Sequence, residues 1–100
     1  MKKVILQQAY EELDDAVEYY ENEQAGLGLR MMGEIDKHVQ WITQNPTIPH
    51  VRIGGYRRVN LKIFPYYISY VVRVDTLWIL SIAHNHRKPK YWISRKNEIS

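Results

Sequence analysis

Hydrophobic and polar positions change period three times along this 100-residue chain. Lys2 to Leu6 is short, and Val4 and Ile5 favour an extended strand. From Gln7 the apolar positions Ala9, Leu13, Ala16, Val17 and Tyr20 fall on one helical face. Glu11, Glu12, Asp14, Asp15 and Glu18 fill the other positions and read as a solvated acidic face. Acids near the start also suit the positive end of a helix dipole. Gly26 and Gly28 predict a tight turn, since glycine reaches positive φ without a steric penalty. A second helix, from Leu27 or Leu29 to Gln44, is expected on Met31, Ile35, Val39 and Ile42, and Asn45-Pro46 ends it.

Thr47 to Gly55 reads as a connection broken by Pro49 and the Gly54-Gly55 pair. Then Val59, Leu61 and Ile63 alternate with Arg58, Asn60 and Lys62, the period of a strand with one apolar and one basic face. Phe64-Pro65-Tyr66 marks a turn, because proline donates no ladder hydrogen bond. Tyr67 to Val72 and Leu77 to Ala83 are strands joined by a hairpin at Asp75-Thr76. The predicted order is β-α-α-β-β-β. That is an α+β domain over residues 1–92, with a helical hairpin packed on an antiparallel sheet, followed by a polar tail at 93–100.

Composition narrows the classes. With 45% hydrophobic residues the chain has a core for one small domain. Cysteine is absent, which excludes disulfides and thiolate chemistry and suits the cytosol. No apolar run reaches membrane-span length and Met1 to Ala9 is no signal peptide, so a cytoplasmic protein without a membrane partner is expected. The net charge of +3 conceals a split. Residues 1–50 carry four cations and nine acids (−5), and residues 51–100 carry ten cations and two acids (+8). The basic half should attract an acidic surface. If the last strand lay beside the Arg58 strand, Arg58 and Lys62 would join Arg87, Lys88 and Lys90 in one concave basic face.

The densest chemistry is AHNHRKPKYW, Ala83 to Trp92. His84 and His86 share a strand face, but the basic half offers almost no carboxylate as a third ligand, so neither a metal nor a cofactor is expected. His86 beside Arg87 suits proton transfer, whereas His84 reads as closing the sheet edge. Arg58 and Arg87 each offer a planar fork of donors to phosphate or carboxylate. Arg57, on the other side of its strand, should turn toward the helices or onto an aromatic. Tyr91 and Trp92 form either an exposed pair for a partner's pocket or, for Trp92, a cap folded back on the core. No phosphate-binding glycine loop, Ser-His-Asp signature or metalloprotease helix is present, and the acidic helices do not suit base reading.

Taken together, AYEELDDAVEYYE, GLGLRMMGEI, ITQNP, YRRVNLKIFPYYISYVV and ILSIAHNHRKPKYW resemble the RelE/ParE superfamily of type II toxin–antitoxin toxins over nearly the whole chain. The resemblance implies a RelE-like fold and a toxin of a plasmid-stabilization module, neutralised by a cognate antitoxin in a hetero-oligomer. An acidic antitoxin segment folding on contact fits the charge. The FPY turn and the HRKPKYW ending look more like the ParE branch, whose members inhibit DNA gyrase mainly through the C-terminal region. On that reading Arg58, Lys62, Arg87, Lys88, Lys90, Tyr91 and Trp92 would contact the target. The alternative is a RelE-like endoribonuclease acting on messenger RNA in the ribosome. There Arg58, Lys62 and Arg87 would cradle phosphate, with His86 or Tyr91 moving the proton.

Overall fold

A computed structural model describes residues 1–99. The elements are β1 (Lys2–Ile5), α1 (Gln7–Glu23), α2 (Leu27–Gln44), β2 (Arg57–Asn60), β3 (Tyr66–Arg73) and β4 (Thr76–His84), then a 3-10 helix, Ile93–Glu98. The four strands lie in the order β1-β4-β3-β2. The β2-β3 and β3-β4 pairs are antiparallel, as expected. β1 instead joins β4 in parallel, making the sheet mixed. A parallel neighbour requires a crossover connection, and the helical hairpin is part of it.

The hairpin between α1 and α2 depends on two close fits. Gly26 takes φ 90° and turns the chain. The Glu21 carboxylate then accepts the backbone N–H of Gly26 at 2.9 Å and of Gly28 at 3.0 Å, so an acid from α1 caps the orphan donors and positive end of α2. At Gly28 a Cβ would lie 2.7 Å from the Val17 carbonyl oxygen, so the helices touch backbone to backbone there.

Helices and sheet enclose one core: Ala9, Ala16, Met31, Ile35 and Ile42 pack against Ile68, Tyr70, Leu77, Ile79 and Ile82. A bulge keeps both sheet faces apolar. Ser69 pairs with Ser81 and Tyr70 with Ile79, leaving Leu80 as the extra residue. Leu80 joins a second cluster with Leu6, Tyr56, Tyr67, Val71, Ala83, Trp92 and Ile99. The sheet face expected to be open and basic is therefore largely covered. Residues 93–98, read as a polar tail, form the 3-10 helix, and Ile99 is buried; Ser100 lies outside the described residues. Six residues are too few for an amphipathic period to show, and the apolar anchors Trp92 and Ile99 bracket the helix.

The second strand is shorter than its alternation implied. It ends at Asn60, Leu61 turns inward and Ile63 is exposed. The buried Glu34 side chain accepts the Ile63 N–H at 3.0 Å and holds the 61–65 turn against α2. The β3-β4 hairpin turns at Val74-Asp75, one residue earlier than expected, with Val74 at φ 57°.

Candidate functional site

Arg58 and Asn60 share the sheet face turned away from the helices, as alternation required. The Arg58 guanidinium lies 3.8 Å over the Tyr67 ring, and its Nε donates to Asn60 Oδ1 at 2.9 Å. Arg57 turns to the opposite side, where Nη1 donates to the carbonyls of Thr47 at 3.1 Å and Pro49 at 2.7 Å.

β4 ends at His84. The His86 N–H donates to Nδ1 of His84 at 3.0 Å and the Arg87 N–H to the His84 carbonyl at 3.1 Å, so His84 closes the turn. Its ring also meets Tyr66 and His86 edge-on, at 5.0 and 5.2 Å. His86 itself is exposed. Lys90 takes φ 59°, which helps to turn the chain back beneath the sheet. Trp92 is only 1% exposed, donates from Nε1 to the Tyr67 hydroxyl at 2.8 Å and meets Tyr56 edge-on. It caps the second core and is therefore removed from the contact surface.

Tyr91 is anchored as well. Its hydroxyl donates to Glu12, an acid of α1. The same carboxylate accepts the Ile82 N–H at 3.0 Å and binds Arg95 through both oxygens, at 3.0 and 3.1 Å. Arg95 also donates to the Leu80 carbonyl at 2.9 Å. β1 pairs with β4 only as far as Ile79, so Glu12 and Arg95 satisfy the backbone of β4 beyond it. Glu12 thus does not belong to the solvated acidic face assigned to it. The signal was in its spacing: it lies three residues after Ala9 and four before Ala16, both buried.

Burial, then the hydrogen bond to Glu12 and its charge, push the Tyr91 phenol above the ordinary tyrosine range, against the opposing pull of Arg87 and Arg95. A hydroxyl so engaged is a poor proton carrier. The Arg87 guanidinium stacks 3.8 Å over the Tyr91 ring, with Arg95 at 5.4 Å. Among the described residues the carboxylate–cation contacts are the Glu12–Arg95 ion pair and the approach of the His38 ring to Glu34 at 3.8 Å, so neither Arg58 nor Arg87 is bound to a carboxylate.

The two arginines do not lie on neighbouring strands. β3 stands between β2 and β4, so the expected adjacency fails and the strand axes are about 10 Å apart. Their rings link them instead: Tyr67 and Tyr91 both pack into the aromatic cluster around Trp92. Lys88 is exposed near Arg87, and Lys90 sits 6.0 Å from the Tyr56 ring. Lys62 is separate. It lies past the end of β2 and lines a groove of about 530 Å³ with Lys37, Trp41, Gln44 and Val59. His86 and Tyr91 thus both lie beside Arg87, while Lys62, the third expected phosphate ligand, is in a different groove. The arrangement is a basic rim laid over an aromatic layer.

The comparisons bear on the fold and the family. No curated protein matches the chain. A solved structure described as the chromosomal ParDE TA system from P. aeruginosa superposes with a TM-score of 0.74 at 19% identity, over 84% of this chain and 95% of that one. The family model for the ParE toxin of the type II toxin–antitoxin system parDE matches residues 4–89. This chain belongs to the ParE toxin family of type II toxin–antitoxin systems.

Proposed function

We propose that the chain arrests growth from the cytoplasm by binding DNA gyrase through the basic rim at the end of β4, and that a cognate antitoxin holds it inactive in a plasmid-stabilization module. The observation that carries this reading is Arg87, exposed, stacked on Tyr91 and bound to no carboxylate among the described residues. Stacking fixes the plane of the guanidinium while its N–H edges stay open, the preorganisation a protein carboxylate or backbone carbonyl would use. Arg58, Lys88 and Lys90 extend the charge. Tyr91 serves as the platform for Arg87, not as a chemical group.

The nuclease alternative has weaker support. Its tyrosine is engaged with Glu12, and Lys62 faces α2. That groove, apolar at Trp41 and Val59 and cationic at Lys37 and Lys62, suits an acidic antitoxin segment that folds on contact. The solved relative, a ParDE system by its description, supports an antitoxin partner.

Two assays on one preparation test the proposal. Supercoiling by purified gyrase should be inhibited, and ribosome-bound message in a translating extract should stay intact. Codon-positioned cuts that disappear in Arg87→Ala would establish the nuclease instead.

A further inference from the structure

The connection from α2 to β2 presents three aliphatic side chains to water: Ile48 is 67% exposed, Val51 56% and Ile53 88%. Its backbone is braced from below. Arg57 donates to the carbonyls of Thr47 and Pro49, and the Tyr70 hydroxyl donates to that of Pro46 at 2.8 Å. The Arg52 N–H donates to the Tyr56 carbonyl at 2.7 Å and the Gly55 N–H to the Arg52 carbonyl at 2.9 Å. Gly54 and Gly55, at φ 107° and 77°, make the turn, and the Lys96 ammonium reaches the Gly54 carbonyl. Tyr56 anchors the end of the loop in the second core.

Bracing of this kind fixes the aliphatic side chains in the exposed position. Solvent exposure of three large aliphatics within six residues brings no folding benefit, whereas a preorganised apolar projection suits an interface. Its surroundings are cationic: His50, Arg52 and Lys90 line a hollow of about 370 Å³ together with Val51, Ile53 and Tyr56. Residues 46–56 contain no acid. Lys90 joins this hollow to the basic rim, and Gly54 lies against Ile93 of the C-terminal helix.

We propose that Val51 and Ile53 are the apolar anchor of the target contact, seated in an apolar hollow of a protein whose edge carries carboxylates. The proposal rests on the reading that the basic rim binds a protein target. A cationic rim steers encounter and selects an acidic partner, but slow dissociation comes from apolar side chains buried at the centre of an interface. Along the rim, this loop supplies them. A nucleic acid fits less well, because bases bind by stacking on exposed rings: Tyr56 is buried and the loop's exposed ring is the single His50 imidazole, beside three aliphatics that offer no stacking face.

The variants Ile53→Ser and Val51→Ser/Ile53→Ser remove only exposed side chains, so melting temperature should stay unchanged. Affinity for purified gyrase should fall about tenfold or more, mainly through faster dissociation. Affinity for the antitoxin should stay unchanged, and growth arrest at equal expression should weaken. If the wild-type chain arrests growth without binding gyrase and Ile53→Ser abolishes the arrest, the loop stands and gyrase falls as the target. Full growth arrest by both variants overturns the proposal, as does loss of antitoxin binding with target affinity intact.

Discussion

Glu12 on α1 and Arg95 in the C-terminal helix form a two-pronged ion pair, 83 residues apart in sequence, with N–O distances of 3.0 and 3.1 Å. Both side chains are largely buried, at 13% and 15% exposure. The pair ties the segment carrying the basic rim to the helical layer. Removing one member leaves the other charged and partly buried, which costs about 3 kcal/mol. Glu12→Ala should therefore lower stability by about that amount, somewhat reduced by the residual solvent access. Glu12→Ala/Arg95→Ala should cost less than the sum of the single changes. Urea denaturation of the four proteins in this double-mutant cycle checks both statements.

Much of this molecule was legible from side-chain period. Ala9, Leu13, Ala16 and Val17 on α1 and Met31, Ile35, Val39 and Ile42 on α2 lie where their spacing put them. Arg58 and Arg57 diverge as strand alternation demanded. The missed features depend on contacts between distant residues. The spacing of Glu12 from Ala9 and Ala16 marks it as inward-facing but does not name Arg95 as its partner, and Ile93 to Glu98 has no apolar repeat of its own. The placement of β1 between solvent and β4 is likewise set by topology, because four residues carry no record of their pairing partner. Lys62 was misplaced because alternation was extended past Asn60 into a turn held by Glu34.

Two glycines of α2 should respond oppositely to the same change. At Gly28 an added methyl meets the Val17 carbonyl oxygen at 2.7 Å, so Gly28→Ala should cost about 1–3 kcal/mol as the helices separate. At Gly33 nothing lies within 4 Å of the added carbon, so Gly33→Ala should stabilise by up to about 1 kcal/mol through helix propensity. Thermal melts of the two variants decide this.

Val74 is a β-branched residue held at φ 57° in the β3-β4 turn, fully exposed and without packing to compensate. An L-residue in that region is strained by about 1–2 kcal/mol, and asparagine tolerates it better. Val74→Asn should raise the melting temperature by several degrees. An unchanged or lower value would show that the turn is not strained.

Alkaline pH should weaken the fold through its raised phenols, Tyr70 and Tyr91 more than Tyr20 and Tyr66. Tyr70 is pushed up to about 12 by burial, against Arg57, and Tyr91 is raised by burial and Glu12. The folded state thus keeps protons that the unfolded chain loses near pH 10. Their contribution is complete below pH 10 and is lost as pH rises from there through the folded-state values. Stability between pH 9 and 11.5 should fall less steeply in Tyr70→Phe and Tyr91→Phe than in the wild type. Chemical denaturation across that range, taken as a difference from wild type, isolates the tyrosines from the lysines.

On the proposed reading Arg87, stacked on Tyr91, grips a protein target without taking part in chemistry. Calorimetric titration of purified gyrase with wild type, Arg87→Lys and Arg87→Ala tests it most directly. A planar, stacked fork predicts that lysine recovers only part of the affinity, with alanine weaker by about tenfold or more and all three folded alike. Wild-type affinity in Arg87→Ala would contradict the account.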